Sequence, residues 1–168
     1  MVTEVWDEVL PDPYVQAVLI GEEGLWLGTY QGLARHRDGH TDSVLTPWSV
    51  FSLAETGDGG VWAGYEGLRW LDDAGAQPEP ELPAIKVFGS VVSGDDVWVA
   101  SEDQGVQLLS DGQLSAVPGY PTAETYSLTL SPLGPWVAGG RQGLVGPSGL
   151  RLSPVSYTHL TLPTKCWV

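Results

Sequence analysis

Short apolar runs alternate with turns rich in glycine and acidic residues along most of the chain. The first example is VQAVLI from Val15, followed by the turn GEEG and then by LWLG. An apolar run bounded by glycine and acidic residues predicts a short β-strand that enters a tight hairpin turn. The 22 glycines and 13 prolines among 168 residues disfavour long helices. The pattern therefore predicts an all-β fold.

This pattern repeats four times, and one tryptophan anchors each copy. The steps between successive tryptophans are 36, 36 and 38 residues, and the four are Trp26, Trp62, Trp98 and Trp136. Two positions after each tryptophan comes a small residue, namely Gly28, Gly64, Ala100 and Ala138. A glycine followed by an aliphatic residue comes next, and these glycines are Gly32, Gly67, Gly105 and Gly143. A constant period of this length indicates a repeat architecture.

Each copy is predicted to form four short strands, of which the second carries the tryptophan. The first two strands are apolar on both sides, so both faces of each small sheet must be covered by neighbouring sheets. The tryptophan and the small residue two positions later share one face, which allows adjacent sheets to interlock. Radially packed four-stranded sheets form a β-propeller. We therefore predict a partial β-propeller of about four blades, with repeats at residues 15–47, 48–83, 84–118 and 119–154.

The repeat also resembles a known family. The segment GLWLGTYQGL, from Gly24 to Leu33, resembles the repeat of the two-component regulator propeller family, and residues 58–68 match that repeat well. The third copy replaces Gly-Thr by Ala100-Ser101. The fourth has Pro135 before its tryptophan and Gly139 in place of threonine, so we expect an irregular second strand there. The resemblance covers about residues 15–152.

For function, the resemblance implies a non-catalytic, ligand-sensing region of a bacterial signalling protein. A transmitter module would then be encoded downstream, and the region would be periplasmic or extracytoplasmic. The alternative is a stand-alone propeller scaffold that binds protein or carbohydrate. Localisation stays undetermined from the residues alone, because the N-terminus shows no secretory signal pattern.

The two ends of the chain depart from the repeat. Residues 1–14 are predicted to be the outermost strand of a preceding or closing blade. Residues 155–168, VSYTHLTLPTKCWV, contain the only cysteine, and their back-translation resembles a sequencing-library adapter. We therefore expect this segment to be non-native and the native propeller to continue into further blades. Those missing blades are expected partners of this chain, and a homodimer of the full-length protein is left open.

Charge and motifs narrow the function further. The chain has 21 acidic and 7 basic residues, a formal net charge of -14, which disfavours nucleic acid and anionic membranes as partners. His36 and His40 lie near Asp38, but an exposed polar turn explains them better than a metal site. We find neither a nucleophile elbow nor a phosphate-binding loop. The expectation is therefore a non-enzyme without metal or cofactor.

The loops of one propeller face are the predicted binding surface. Connections from fourth to first strands, and from second to third strands, emerge there around the central channel. Aromatic rings stack on apolar ligand surfaces while amides and carboxylates bond hydroxyls, which suits a small-molecule, carbohydrate or protein ligand. Packing of these rings at the loop bases is the alternative, and Tyr126 is a further aromatic in this region. The candidate ligand-binding residues are Tyr14, Tyr30, Gln31, Trp48, Tyr65, Glu66, Glu102, Gln104, Tyr120 and Arg141.

Overall fold

The computed structural model describes residues 10–72, 75–76, 82 and 84–152. These residues form four antiparallel sheets, each with four strands in chain order. The first sheet contains β1 Val15–Gly21, β2 Gly24–Thr29, β3 Leu33–Arg37 and β4 His40–Leu45. The second contains β5 Ser52–Glu55, β6 Val61–Tyr65, β7 Gly67–Asp72 and β8 Gly75–Ala76.

The third sheet contains β9 Val87–Ser93, β10 Asp96–Ser101, β11 Gly105–Ser110 and β12 Gln113–Ala116. The fourth contains β13 Ser127–Ser131, β14 Gly134–Ala138, β15 Leu144–Val145 and β16 Arg151–Leu152. The predicted all-β fold of four four-stranded blades is confirmed. The described residues include no helix that is long and apolar enough to cross a membrane.

Successive sheets pack face to face through their first strands. Strand β5 contacts β1 on one side and β9 on the other, and β9 also contacts β13. The first strands are therefore the innermost ones, as in a propeller. Three buried clusters lie between consecutive sheets, and they are centred on Trp26 and Val61, on Val87 and Val97, and on Val106 and Val137. The core is thus divided into three layers, one at each junction between sheets.

Glycines two positions after the tryptophans let the sheets approach closely. A Cβ atom added to Gly28 would lie 2.7 Å from Cγ1 of Val50 in the next repeat, and one added to Gly64 would lie 2.6 Å from Cγ1 of Val87. Both distances are shorter than a normal contact between carbon atoms. The predicted alternation of large and small residues therefore corresponds to interlocking sheets.

Backbone hydrogen bonds join each sheet to the next. At the end of β2, the carbonyl oxygen of Thr29 accepts a bond of 2.8 Å from the Val50 amide. Between the third and fourth sheets, the Thr125 amide donates to the Ser101 carbonyl oxygen at 3.2 Å, and the Thr125 hydroxyl donates to the same oxygen at 2.7 Å. Thr29, Ser101 and Thr125 are fully buried. These bonds satisfy polar groups that would be costly to bury unpaired.

The expected irregularity of the fourth sheet lies elsewhere than predicted. The prediction for its second strand is wrong, because β14 pairs with β13 in continuous register from Ser131–Gly134 to Ser127–Ala138. The irregular part follows β14, where Gly140–Gln142 form a 3₁₀ turn and β15 has only two residues. The Pro135 carbonyl oxygen accepts a hydrogen bond of 3.0 Å from the Tyr120 hydroxyl, and Pro135 pairs with Leu130 within this register.

Two predicted segments fall outside the part of the chain that the structure describes. Residues 1–9 of the predicted N-terminal strand and the predicted non-native segment 155–168 are not among the described residues. Both assignments stay predictions.

Candidate functional site

Six aromatic side chains form a continuous row across one end of the four sheets, where the first strands begin and the second strands end. Four of them lie at or just before the start of a first strand, and these are Tyr14, Phe51, Phe88 and Tyr126. The other two lie at or just after the end of a second strand, and these are Tyr30 and Tyr65. Because the first and second strands of each sheet are antiparallel, the start of the first strand and the end of the second strand lie at the same end of the sheet. We call these six residues the aromatic row.

The rings of the row contact one another from the first sheet to the fourth. Centroid distances are 6.3 Å for Tyr14–Tyr30, 5.2 Å for Tyr30–Phe51, 4.2 Å for Phe51–Tyr65, 5.6 Å for Phe51–Phe88 and 5.7 Å for Phe88–Tyr126. Phe51 and Tyr65 are stacked, and the other pairs meet edge to face. Both are favourable arrangements of aromatic pairs. The row is therefore a preformed strip of ring surfaces along the innermost strands.

Much of this strip is open to solvent. Tyr14 is 67% exposed, Tyr30 47% and Tyr126 42%, while Phe51, Tyr65 and Phe88 are half-buried. Rings of this exposure present a face or an edge to a ligand. The three exposed tyrosines can thus offer ring surface for stacking, while the three half-buried rings between them are packed against their neighbours.

Charged groups flank the row between the second and third sheets. The Lys86 ammonium lies 3.3 Å from Oε2 of Glu102, and the Lys86 amide donates to Oδ1 of Asp103 at 3.1 Å. The hydrogen bond and charge of Glu102 raise the pKa of Lys86 above its ordinary value. Lys86 therefore stays an ammonium at neutral pH, two positions before Phe88 of the row.

The Asp103 carboxylate is held ionised by its neighbours. Partial burial opposes its ionisation, but the Ser101 hydroxyl and the Lys86 amide donate to it and keep its pKa below the ordinary value. The same carboxylate thus connects the loop after β10 to the segment that enters β9. This ion and hydrogen-bond arrangement fixes the loop beside the row.

The structure places the predicted ligand-binding residues in three settings, namely in the aromatic row, in the connections from second to third strands, and between packed sheets. Tyr14, Tyr30 and Tyr65 belong to the aromatic row. Gln31, Glu66, Glu102, Gln104 and Arg141 lie in the connections from second to third strands, as predicted. Of these, Gln31, Glu66, Gln104 and Arg141 are exposed, so their side chains are accessible along the same edge.

Trp48 and Tyr120 are not brought to the row. The Trp48 ring packs against the first core cluster, and the Arg69 guanidinium lies 4.9 Å from its centroid. Tyr120 packs against Trp98, and its hydroxyl donates to the Pro135 carbonyl at 3.0 Å. Burial raises the pKa of Tyr120. Both rings therefore pack between sheets, which is the alternative that the sequence left open for loop aromatics.

Phe51 and Phe88, at the centre of the row, are absent from the sequence-based set of candidates. A signal for them exists, because Tyr14, Phe51, Phe88 and Tyr126 recur at steps of 37, 37 and 38 residues, close to the tryptophan period.

Within the described residues, no group of three or more His, Cys, Asp or Glu side chains could hold a metal ion.

Comparison with known proteins supports the fold. No protein-family model and no curated protein sequence matches the chain. Among solved structures, the extracellular domain described as hybrid two-component system BT4673 from B. thetaiotaomicron superposes with a TM-score of 0.70 and 19% identity over 90% of this chain. The RRP9 WD40 repeats follow with a TM-score of 0.60 and 12% identity over 76% of this chain. YCF48 bound to D1 peptide gives a TM-score of 0.53 and 12% identity over 85%.

These neighbours are longer than the chain. It spans 23% of the BT4673 domain, 46% of the RRP9 structure and 54% of YCF48. At such identities the likeness shows a shared propeller fold. The neighbour from a hybrid two-component system is consistent with the resemblance to the two-component regulator propeller family.

Proposed function

We propose that this chain is the non-catalytic ligand-binding part of an extracytoplasmic sensor in a bacterial signalling protein, with the aromatic row as its binding surface. The observation that carries the proposal is the unbroken contact of six rings along the innermost edge of four sheets. The extracellular domain of a hybrid two-component system is among the proteins with this fold, which supports the sensor assignment.

The chemistry of the row favours a neutral or weakly cationic ligand with flat apolar faces. Rings stack on the apolar faces of sugars or on peptide side chains, while amide and carboxylate groups bond hydroxyls or amides. The net charge of -14 opposes polyanions. We therefore expect an oligosaccharide or a peptide and not a nucleotide or a sulfated polymer.

A stand-alone scaffold is the second candidate function. YCF48, which shares the fold, is bound to a peptide in its structure. A scaffold would use the same row for a protein partner without passing a signal to a transmitter. The full gene distinguishes the two, because a sensor requires a membrane span of about 20 apolar residues and a transmitter beyond the propeller.

The binding proposal is tested on arrays of neutral and sulfated oligosaccharides and on a library of short peptides. The full chain is compared with the variant Tyr30→Ala/Tyr126→Ala, which removes two exposed rings of the row. Leu133→Ala is the matched control, because Leu133 is exposed in the turn between β13 and β14, away from the row. We expect neutral ligands to be retained by the wild type and the control and lost by the double variant. Retention of sulfated ligands alone, or equal retention by all three proteins, would refute the proposal.

A further inference from the structure

A cleft with aromatic and acidic walls lies between the second and third sheets, at the end opposite the aromatic row. The turns β5–β6, β9–β10 and β11–β12 lie at that end, because the first and third strands of each sheet finish there. Two cavities of about 540 and 340 Å³ open between these turns, and they adjoin because Asp95 lines both. The larger cavity is also lined by Asp58 and Trp70, and the smaller one by Asp111 and Trp62. We call these five residues the acidic cleft.

The two indoles of the acidic cleft lie side by side on one sheet. Trp62 on β6 and Trp70 on β7 are direct cross-strand partners, so their side chains project from the same face of the second sheet. Trp62 packs against the core cluster that contains Val97 of β10, which directs this face toward the third sheet. Both tryptophans are half-buried and line the cavities, so each keeps part of its ring open to the cleft. The face of an indole attracts a cation through the ring quadrupole.

Three carboxylates stand around these indoles. Asp58, Asp95 and Asp111 are exposed and lie in the three turns. The Thr56 hydroxyl and the Gly60 amide donate hydrogen bonds to the Asp58 carboxylate and hold its pKa below the ordinary value. The described residues that line the two cavities include no lysine, arginine or histidine. The cleft thus offers several carboxylates to a cationic ligand.

The first sheet has a cation at the repeat position of Trp70. There Trp26 pairs across β2 and β3 with Arg35, where the second sheet has Trp62 and Trp70. The Arg35 guanidinium lies 5.2 Å from the centroid of the Trp26 ring, which is the distance of an attractive cation–π contact. The repeat therefore places a cation of its own against the tryptophan of the first sheet. In the second sheet the same position carries an indole that faces a cavity.

We propose that the acidic cleft binds a linear polyamine, with ammonium groups at the carboxylates and methylene segments along the indoles. The carboxylates follow one another along the cleft, since Asp58 lines the larger cavity, Asp95 lines both and Asp111 lines the smaller one. A chain of ammonium groups separated by methylene groups matches this alternation of charge and ring surface. A magnesium ion needs a compact octahedron of oxygen ligands and gains nothing from the indoles.

This site is separate from the binding surface proposed above. The aromatic row lies at the opposite end of the same sheets, so a polyamine in the acidic cleft does not depend on any ligand of the row. The net charge of -14 attracts every polycation to the whole surface, so the test must separate binding in the cleft from this diffuse attraction.

The test is isothermal titration calorimetry of spermidine into the full chain at physiological salt, with circular dichroism to confirm folding. Trp70→Arg places the first-sheet residue in the cleft, where its guanidinium competes for the carboxylates, and we expect the dissociation constant to rise by about tenfold or more. Asp95→Asn removes the carboxylate shared by both cavities and should raise it by about three- to fivefold. Asp42→Asn is the matched control, because Asp42 is an exposed carboxylate on β4 and its loss changes the net charge equally. The control should stay within about twofold of the wild type, since surface charges beyond the Debye length are screened.

The indole N–H signals provide a second readout, and two further probes define the ligand chemistry. Spermidine should shift the signals of Trp62 and Trp70 and leave the rings of the aromatic row unmoved, whereas 1,8-octanediol and magnesium chloride should shift neither indole. An undetectable affinity of the wild type for spermidine would overturn the proposal. Equal affinity of the wild type, Asp95→Asn and Asp42→Asn would assign the binding to diffuse attraction, and this comparison holds even if Trp70→Arg does not fold. Displacement of spermidine by an equal concentration of magnesium would contradict a role for the indoles.

Discussion

At the residue scale, the phenylalanines and the tyrosines of the aromatic row differ in how well the sequence predicts them. Phe51 and Phe88 belong to the row and yet directly follow Val50 and Val87, which are fully buried. An apolar pair at the start of a strand is typical of a core, so sequence periodicity alone assigns both residues to packing. Tyrosines at predicted loop positions are easier to assign to a surface, and the sequence predicts Tyr14, Tyr30 and Tyr65 as candidates in this way.

The close approach at Gly64 gives a residue-scale prediction. Gly64→Ala places a Cβ atom 2.6 Å from Val87, so the second and third sheets must separate or Val87 must change rotamer. We expect a loss of about 1–3 kcal/mol in the free energy of unfolding, measured by urea denaturation, because overpacking of a close-packed core has this cost. Gly57→Ala is the control, because an added Cβ there meets nothing within 4 Å. Equal stability of the two variants would contradict the interlocking.

At the element scale, the strands and the positions of the connections between them are predictable from the sequence, whereas the conformation of individual connections is not. Tryptophan and glycine at a fixed period identified the four sheets, because packing between neighbouring copies imposes the same residue at the same place. The sequence does not predict the 3₁₀ turn at Gly140–Gln142. This turn depends on which backbone hydrogen bonds the residues after β14 form in the folded chain. The sequence also predicts Trp48 on the binding face, whereas its ring packs against the first core cluster. A loop position alone does not determine the direction in which a side chain points.

The loop after β10 gives an element-scale prediction about pH. The pKa of Asp103 lies below its ordinary value of 3.8, so its contribution to stability is complete above that value and is lost as the pH falls through the lowered pKa. Asp103→Asn should therefore reduce stability at neutral pH and less so in strong acid. Chemical denaturation at a series of pH values measures this, with Asp95→Asn in the β9–β10 turn as the control. A difference between wild type and Asp103→Asn that stays constant into strong acid would contradict the assignment.

At the scale of the whole molecule, the four sheets place one aromatic residue after another along a common inner edge. The propeller arrangement brings together residues 37 or 38 positions apart in sequence, so the surface exists only in the folded chain. The fold itself does not specify a ligand, because propellers support many unrelated functions. The ligand class that we propose therefore rests on the chemistry of the aromatic row and of the nearby Lys86, Glu102 and Asp103.

Binding of a ligand to the aromatic row, as we propose, is measured most directly by a chemical-shift titration of the aromatic carbons. The probe is the oligosaccharide or peptide that the arrays retain most strongly, added to the full chain. We predict that the Phe51, Tyr65 and Phe88 rings shift together with Tyr30 and Tyr126, while Trp70, which packs over Gly60 beside the turn between β5 and β6, stays unchanged. Shifts confined to Trp70 and its surroundings, with the rings of the row unmoved, would contradict the claim.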